Sequence, residues 1–312
     1  MGGSGGAWPT DISPRQAEKY YQETKSETEQ NEFNQKVCKM LDDYLSRFND
    51  RDVNNIQNKL DDIKKAIQAE VDGTVDLKYG GSIDKHTYVD GISDIDSLVI
   101  LNKSDLADKT PENVRDYFLS ELNDKLKGQD VEISKGKLAV TVKYKDGTEI
   151  QLLPAIRTGE GLKIPSVLGN KWSAVITPQK FAEKLTDINA KLNGKVVPAI
   201  KLIKAINSQF SEQKQMAGYH IESLAIEAFK SCKGNENPKE LLSKFFGEAK
   251  ELVKTPIKDK SNQSIHVDDY LGKKDSESRK SLSYQLDFIY RKINNANNAC
   301  SEKMWQDIFG DV

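Results

Sequence analysis

Two carboxylates one residue apart, Asp94 and Asp96, stand in Ser93-Asp94-Ile95-Asp96-Ser97-Leu98-Val99-Ile100, where polar residues give way to an apolar strand. Upstream, across eleven intervening residues, lies Gly80-Gly81-Ser82 at the end of another strand. Side chains alternate across a strand, so Asp94 and Asp96 share a face. Like charges aimed the same way repel unless a cation sits between them. A pair of Mg²⁺ ions that also grips a triphosphate answers that need. The glycines let backbone N–H groups close on a phosphate, and the Ser82 hydroxyl adds a donor. Alone, a Gly-Gly-Ser reads as a loop and an Asp-x-Asp as a solvated edge. Together, at this spacing and with a strand following, they read as a metal–triphosphate site.

The elements that must position these residues are legible from periodicity. Val75, Leu77 and Tyr79 alternate into the Gly-Gly-Ser turn, and Leu98–Leu101 is the strand after the acids. Further strands are expected over Val131–Ser134, Leu138–Tyr144 and Glu149–Ile156, the last two joined by an Asp146-Gly147 hairpin turn. Ahead of them, Phe33, Val37, Met40, Leu41, Tyr44, Leu45 and Phe48 form one helical stripe. Asp52 caps a second stripe of Val53, Ile56, Leu60, Ile63 and Ile67. Thr110-Pro111 opens a helix carrying Val114, Phe118, Leu122 and Leu126. From Thr177-Pro178 onward the pattern is helical, with helices about Val197–Ile206, Tyr219–Lys230, Pro238–Val253, Ser276–Asn294 and Ser301–Phe309. The expected architecture is an α/β lobe followed by an all-α lobe, with a cleft between them. Its expected divisions are a tail over 1–15, a catalytic lobe with long N-terminal helices over 16–170, and a helical nucleotide-binding lobe over 171–312.

Composition narrows the function. The chain of 312 residues is 37% hydrophobic and 30% charged, the profile of a globular protein. Its 46 basic and 48 acidic side chains give a net charge of −2, which argues against dedicated duplex nucleic-acid binding. Cys38, Cys232 and Cys300 have neither disulfide-framework nor zinc-ligand spacing, so reduced thiols and a cytoplasmic location are expected. No run reaches the roughly 18 apolar residues of a membrane span. The opening Met1-Gly2-Gly3-Ser4-Gly5-Gly6 reads as a flexible tail or linker.

On these residues the chain resembles the DNA polymerase β-like nucleotidyltransferases, whose signature is Gly-Ser, then Asp-x-Asp, then a third acid on a neighbouring strand. More narrowly it resembles the CD-NTases, the cGAS/DncV-like cyclic oligonucleotide synthases of bacterial CBASS antiphage systems, related to oligoadenylate synthetases. Glu149-Ile150-Gln151-Leu152-Leu153-Pro154-Ala155 is similar to the third-acid strand, and Lys201-Leu202-Ile203-Lys204 to the basic helix that reaches the phosphates. Gly218-Tyr219-His220-Ile221-Glu222-Ser223-Leu224 resembles the helix start whose Tyr stacks on a base, and Pro256-Ile257-Lys258-Asp259 a later loop. The matching segments run from about residue 79 to 270. The resemblance implies a polymerase β-like palm in the first lobe. It also implies condensation of NTPs, ATP among them, into a cyclic di- or trinucleotide with pyrophosphate release. Asp94 and Asp96 would hold two Mg²⁺ ions, or Mn²⁺, and form the catalytic set with Gln151. Gly81, Ser82, Lys201, Lys204, Tyr219 and Ser223 would bind nucleotide. A monomer is expected, with room for an accessory protein at the C-terminal Phe309-Gly310-Asp311-Val312.

One position departs from that pattern. Gln151 stands where the family carries Asp, and an amide can coordinate a metal but cannot take a proton. Either the chemistry tolerates Gln, or a substitution has disabled the site, or Glu149, two residues earlier on the same face, serves instead. Rival readings are therefore an inactive nucleotide-binding relative and a template-independent RNA-tailing enzyme. The second would carry a basic RNA-binding extension that this sequence lacks. His220 and His266 have no ligand partners at suitable spacing and read as structural, whereas His86 could border the cleft.

Overall fold

The computed structural model describes residues 14–48, 52–90, 92–166, 170–259, 261 and 266–310. The opening Gly-Ser run and the last two residues of the expected C-terminal tether lie outside them. α1 (Pro14–Arg47) already begins inside the stretch expected as tail.

α2 (Val53–Gln68) starts where Asp52 Oδ1 accepts the Asn55 N–H at 2.9 Å, a side-chain cap that satisfies a helix-end donor. β1 (Gly73–Tyr79), the single turn α3 (Gly81–Asp84) and β2 (Ile95–Ser104) carry the two motifs. α4 (Pro111–Lys125) follows, capped by Thr110 with Pro111 in its first turn. β3 (Val131–Lys135), β4 (Val140–Tyr144), β5 (Glu149–Arg157) and the short β6 (Leu162–Lys163) complete a six-stranded sheet. Its order is β1-β2-β5-β4-β3, with β6 on β5. All pairings are antiparallel except β2 with β5, which run parallel and place Asp96 beside Gln151. That pairing is what brings the third position of the sequence motif to the first two.

α2 and α4 cover one sheet face. Ile63, Ile67, Phe118 and Leu122 meet Val75, Val99, Val142 and Leu152 in one buried cluster. Ile100, Ala155 and Leu162 of the sheet form a small separate cluster with Ile164 and Ile176 of the following segment. The second lobe is helical: α5 (Pro178–Lys191), α6 (Val196–Ser208), α7 (Gly218–Ala228), α8 (Pro238–Leu252), α9 (Glu277–Asn298) and α10 (Glu302–Phe309). α1, grouped by its chain position with the first lobe, buries its stripe in the second: Phe33, Val37, Leu41, Tyr44 and Phe48 share the core of α6, α8 and α10. Thr177 does not cap α5 with its side chain; its hydroxyl instead donates to the Ser261 carbonyl at 3.2 Å. Among the described residues, no helix is long and apolar enough to cross a membrane.

Candidate active site

β1 delivers the chain to Gly80, whose N–H donates to the Asp96 carbonyl at 2.9 Å, extending the β1–β2 ladder by one bond. The next residue turns sharply. Gly81 has φ +51°, and a Cβ there would sit 1.6 Å from Asp96 Oδ2. Only glycine fits, because the backbone is left-handed and is pressed against a carboxylate. Ser82, buried, follows it in the one-turn α3, its backbone N–H bonding Asp96 and its carbonyl accepting the Thr87 N–H at 2.8 Å. The turn and the second acid are thus one local unit.

Asp94 stands one residue before β2. Gln151 Nε2 donates to its Oδ2 at 2.7 Å. Asp94 opens to solvent at the cleft mouth, yet the walls crowd it, and partial burial with repulsion from Glu149 and Asp96 pushes its carboxyl up to about 6. Burial also raises Asp96, against the pull of the Lys85 ammonium. These two acids hold protons more tightly than ordinary carboxylates, chiefly because the cavity walls strip water from them. Among the described residues, no three His, Cys, Asp or Glu side chains cluster as a metal cage. The donor set is therefore two carboxylates with the Gln151 amide beside them. That set suits Mg²⁺, which keeps waters and takes substrate phosphates rather than an all-protein shell.

Opposite the acids lies a buried charge cluster. Lys204 Nζ donates to the Thr87 carbonyl at 2.9 Å, to Thr87 Oγ1 at 3.3 Å and to Glu222 Oε1 at 3.0 Å. Lys85 binds the other Glu222 oxygen. Burial pulls the Lys204 ammonium below its ordinary range, with Glu222 opposing. Glu222 lies fully buried, which alone would raise it, but Lys85 and Lys204 hold it below the usual carboxylate range.

Tyr219, at the start of α7, has its ring against Phe181 with centroids 4.5 Å apart. Its hydroxyl donates to Asp259 Oδ1 at 2.8 Å. Stacking on a base needs only the ring face, and the structure pins the hydroxyl as well.

Seven of the expected residues meet. Gly81, Ser82, Asp94, Asp96, Gln151, Lys204 and Tyr219 line one cavity of about 280 Å³. Two do not reach it. Lys201, one turn before Lys204, is buried away from the cavity wall, and the Ser223 hydroxyl donates back to the Tyr219 carbonyl at 2.8 Å. Glu149 lines a neighbouring cavity of about 430 Å³ that shares Asp94 with the first. A larger one of about 860 Å³ shares Gly81, Lys85, Asp96 and Tyr219. His86 is exposed and lines none of these cavities. His220 is buried, its Nδ1 2.8 Å from the Tyr270 hydroxyl, and burial drops it to about 4, a neutral structural ring. Sequence reasoning missed Lys85, Thr87 and Glu222. The one available signal was Glu222, a charged residue flanked on its helix by Ile221 and Leu224.

No family model matches the chain, and no curated protein does. Solved structures do. Vibrio cholerae DncV, a cyclic AMP-GMP synthase solved with the linear intermediate 5′ pppA(3′,5′)pG, aligns over 96% of this chain and 91% of its own at TM-score 0.64 and 11% identity. The fold is that of the CD-NTases. Escherichia coli MS115-1 CdnC, solved with ATP, aligns over 88% of this chain and 97% of its own at TM-score 0.61 and 14% identity. The STING-associated CdnE c-di-GMP synthase of Capnocytophaga granulosa aligns over 81% and 82% at TM-score 0.57 and 17% identity. The CD-NTase fold confirms an α/β palm lobe followed by an all-α lobe.

Proposed function

We propose that this chain is a nucleotidyltransferase that condenses NTPs, with pyrophosphate release, into a cyclic di- or trinucleotide second messenger for antiphage signalling. One observation carries the reading: Asp94 and Asp96 line one cavity with Lys204, and Gly81 and Ser82 line it too. Acids that gather cations and a lysine that meets anions belong together where a triphosphate is cut. The fold shared with cyclic dinucleotide synthases supports it, as do three free cysteines, which suit a reducing cytoplasm.

In this reading Asp94 and Asp96 bind Mg²⁺, which supplies charge neutralisation and lowers the barrier to ionising the attacking hydroxyl. Gly81 and Ser82 seat the β- and γ-phosphates, and Lys204 offsets charge developing on the leaving pyrophosphate. A ribose hydroxyl oxygen attacks the α-phosphorus; the new P–O bond forms as the bond to the β-phosphate oxygen breaks, and that oxygen keeps the electron pair. Tyr219 holds the base by its ring face. Gln151 cannot accept the hydroxyl's proton, which passes to water or to Glu149.

The test is incubation with all four NTPs and Mg²⁺ or Mn²⁺, with pyrophosphate measured and phosphatase-resistant products identified by mass spectrometry. A cyclic product is expected; none with either metal at any pH sinks the proposal for this molecule. A second reading has its own observation, since the Gln151 amide donates to Asp94 and occupies one of its oxygens. The chain would then be a nucleotide-binding relative with impaired chemistry, and Gln151→Asp would switch synthesis on. If the parent is active, that change should instead raise its neutral-pH rate by up to about 10²–10⁴-fold. If Glu149 has taken the role, Glu149→Gln silences the protein and Gln151→Asp changes little.

A further inference from the structure

Glu222 is a single carboxylate, 1% exposed, bound by two ammonium groups. Two cations on one anion leave a surplus positive charge, and a buried surplus is costly unless another anion arrives. Asp96 faces the pair across the cavity, but a carboxylate that takes up a metal no longer balances them.

The two lysines are not equivalent. Lys204 has three N–H donors, and all three are used, on the Thr87 carbonyl, Thr87 Oγ1 and Glu222. Among the described residues, Lys85 hydrogen-bonds Glu222 alone, and its side chain is 12% exposed. Its position is also distinctive. It sits on the wall shared by the cavity of the acids and the larger cavity beside it. Its Nζ hovers 5.2 Å from the Tyr219 ring centroid and 5.1 Å from that of Phe181. An ammonium with donors to spare therefore stands between the carboxylates and the ring that would carry a base.

We propose that Lys85 is a further triphosphate-binding cation of this site, held ready by Glu222 as its positioning residue. The inference rests on the nucleotidyltransferase reading and deepens it. The phosphate oxygens supply the missing anion and take the spare donors. In moving toward them the ammonium leaves its place over the Tyr219 ring, so seating the phosphates clears space for the base there. Adenosine alone has no charge with which to draw Lys85 away.

Calorimetric titration tests this with an ATP analogue unreactive at the α–β bridge, AMP and adenosine, each with Mg²⁺, on the parent, Lys85→Met, Lys85→Arg and Glu222→Gln. Lys85→Met should weaken the triphosphate by about ten- to a hundredfold, the loss of a charge-assisted bond, weaken AMP less, and leave adenosine as in the parent. Lys85→Arg should recover most of that loss. Glu222→Gln should lower the same triphosphate-to-adenosine affinity ratio, which a purely structural role would not move. An equal loss for all three ligands in Lys85→Met, or no loss, overturns the proposal while leaving the nucleotidyltransferase reading intact. A parent that binds no triphosphate overturns both.

Discussion

Asp94 ties the chemistry of the site to the stability of the protein. Its carboxyl is raised to about 6 from 3.8, so the native state holds a proton that the unfolded chain has already released. Such a group supports the fold fully below the unfolded value and loses that support as pH climbs through the folded one. In EDTA, the melting temperature should therefore fall between about pH 4 and pH 6, and Asp94→Asn should flatten that slope. Identical slopes in parent and mutant would refute the assignment. The double change Asp94→Asn with Asp96→Asn should abolish synthesis and hold or raise the metal-free melting temperature at pH 7, because repulsion is relieved. Tyr219 separates two effects. Asp259, buried, accepts from the Tyr219 hydroxyl and from both the backbone and side chain of Ser261. Tyr219→Phe removes one of these donors and should cost about 1–3 kcal/mol of stability with nucleotide affinity nearly kept. Tyr219→Ala should in addition weaken nucleotide binding by about 1–3 kcal/mol of stacking. Equal affinity losses in the two would place the hydroxyl, not the ring, on the ligand.

At the scale of elements, the turn between β1 and α3 is the part least open to change. Gly81→Ala must move either a left-handed backbone or the Asp96 carboxylate. Strain of this kind costs about 1–3 kcal/mol, and the displaced acid should abolish synthesis even where circular dichroism shows a folded chain. Normal turnover by Gly81→Ala would refute the geometry. This turn also marks what the sequence could disclose. Gly-Gly-Ser and Asp-x-Asp were legible because each is contiguous and their strands alternate visibly. That the strand of Gln151 neighbours the strand of the acids followed from family resemblance rather than from periodicity, and the parallel pairing of β2 with β5 that sets Asp96 beside Gln151 was not legible. The cluster of Lys85, Thr87 and Glu222 was not legible. Glu222 lies 135 residues from Thr87 and 137 from Lys85, and no local pattern distinguishes Lys85 from a solvated lysine. The two-residue β6 and the single-turn α3 are too short to show a period.

For the whole molecule, the site depends on a clamp far from the acids. Arg279, fully buried on α9, donates to Asp268 Oδ2 at 2.6 Å and to the Val253 carbonyl at 3.0 Å. Asp268 in turn accepts the Ile257 N–H at 2.9 Å. This pair fastens the segment whose Asp259 holds Tyr219. Arg279→Leu leaves a buried carboxylate without its cation and should cost about 3–5 kcal/mol in chemical denaturation. A loss under about 1 kcal/mol would show that the pair is dispensable, as surface pairs are.

The placement of α1 has a consequence for how the chain is made. Its stripe belongs with α6, α8 and α10, yet the whole palm is translated between them. On the ribosome the palm can complete its own core while α1 still waits for its partners, an apolar face without cover. A fragment ending before α5 should accordingly protect α2 through β6 from protease and surrender α1. Pairings so distant along the chain close slowly, so refolding of the intact protein should show the palm's protection appearing first and that of α1 last.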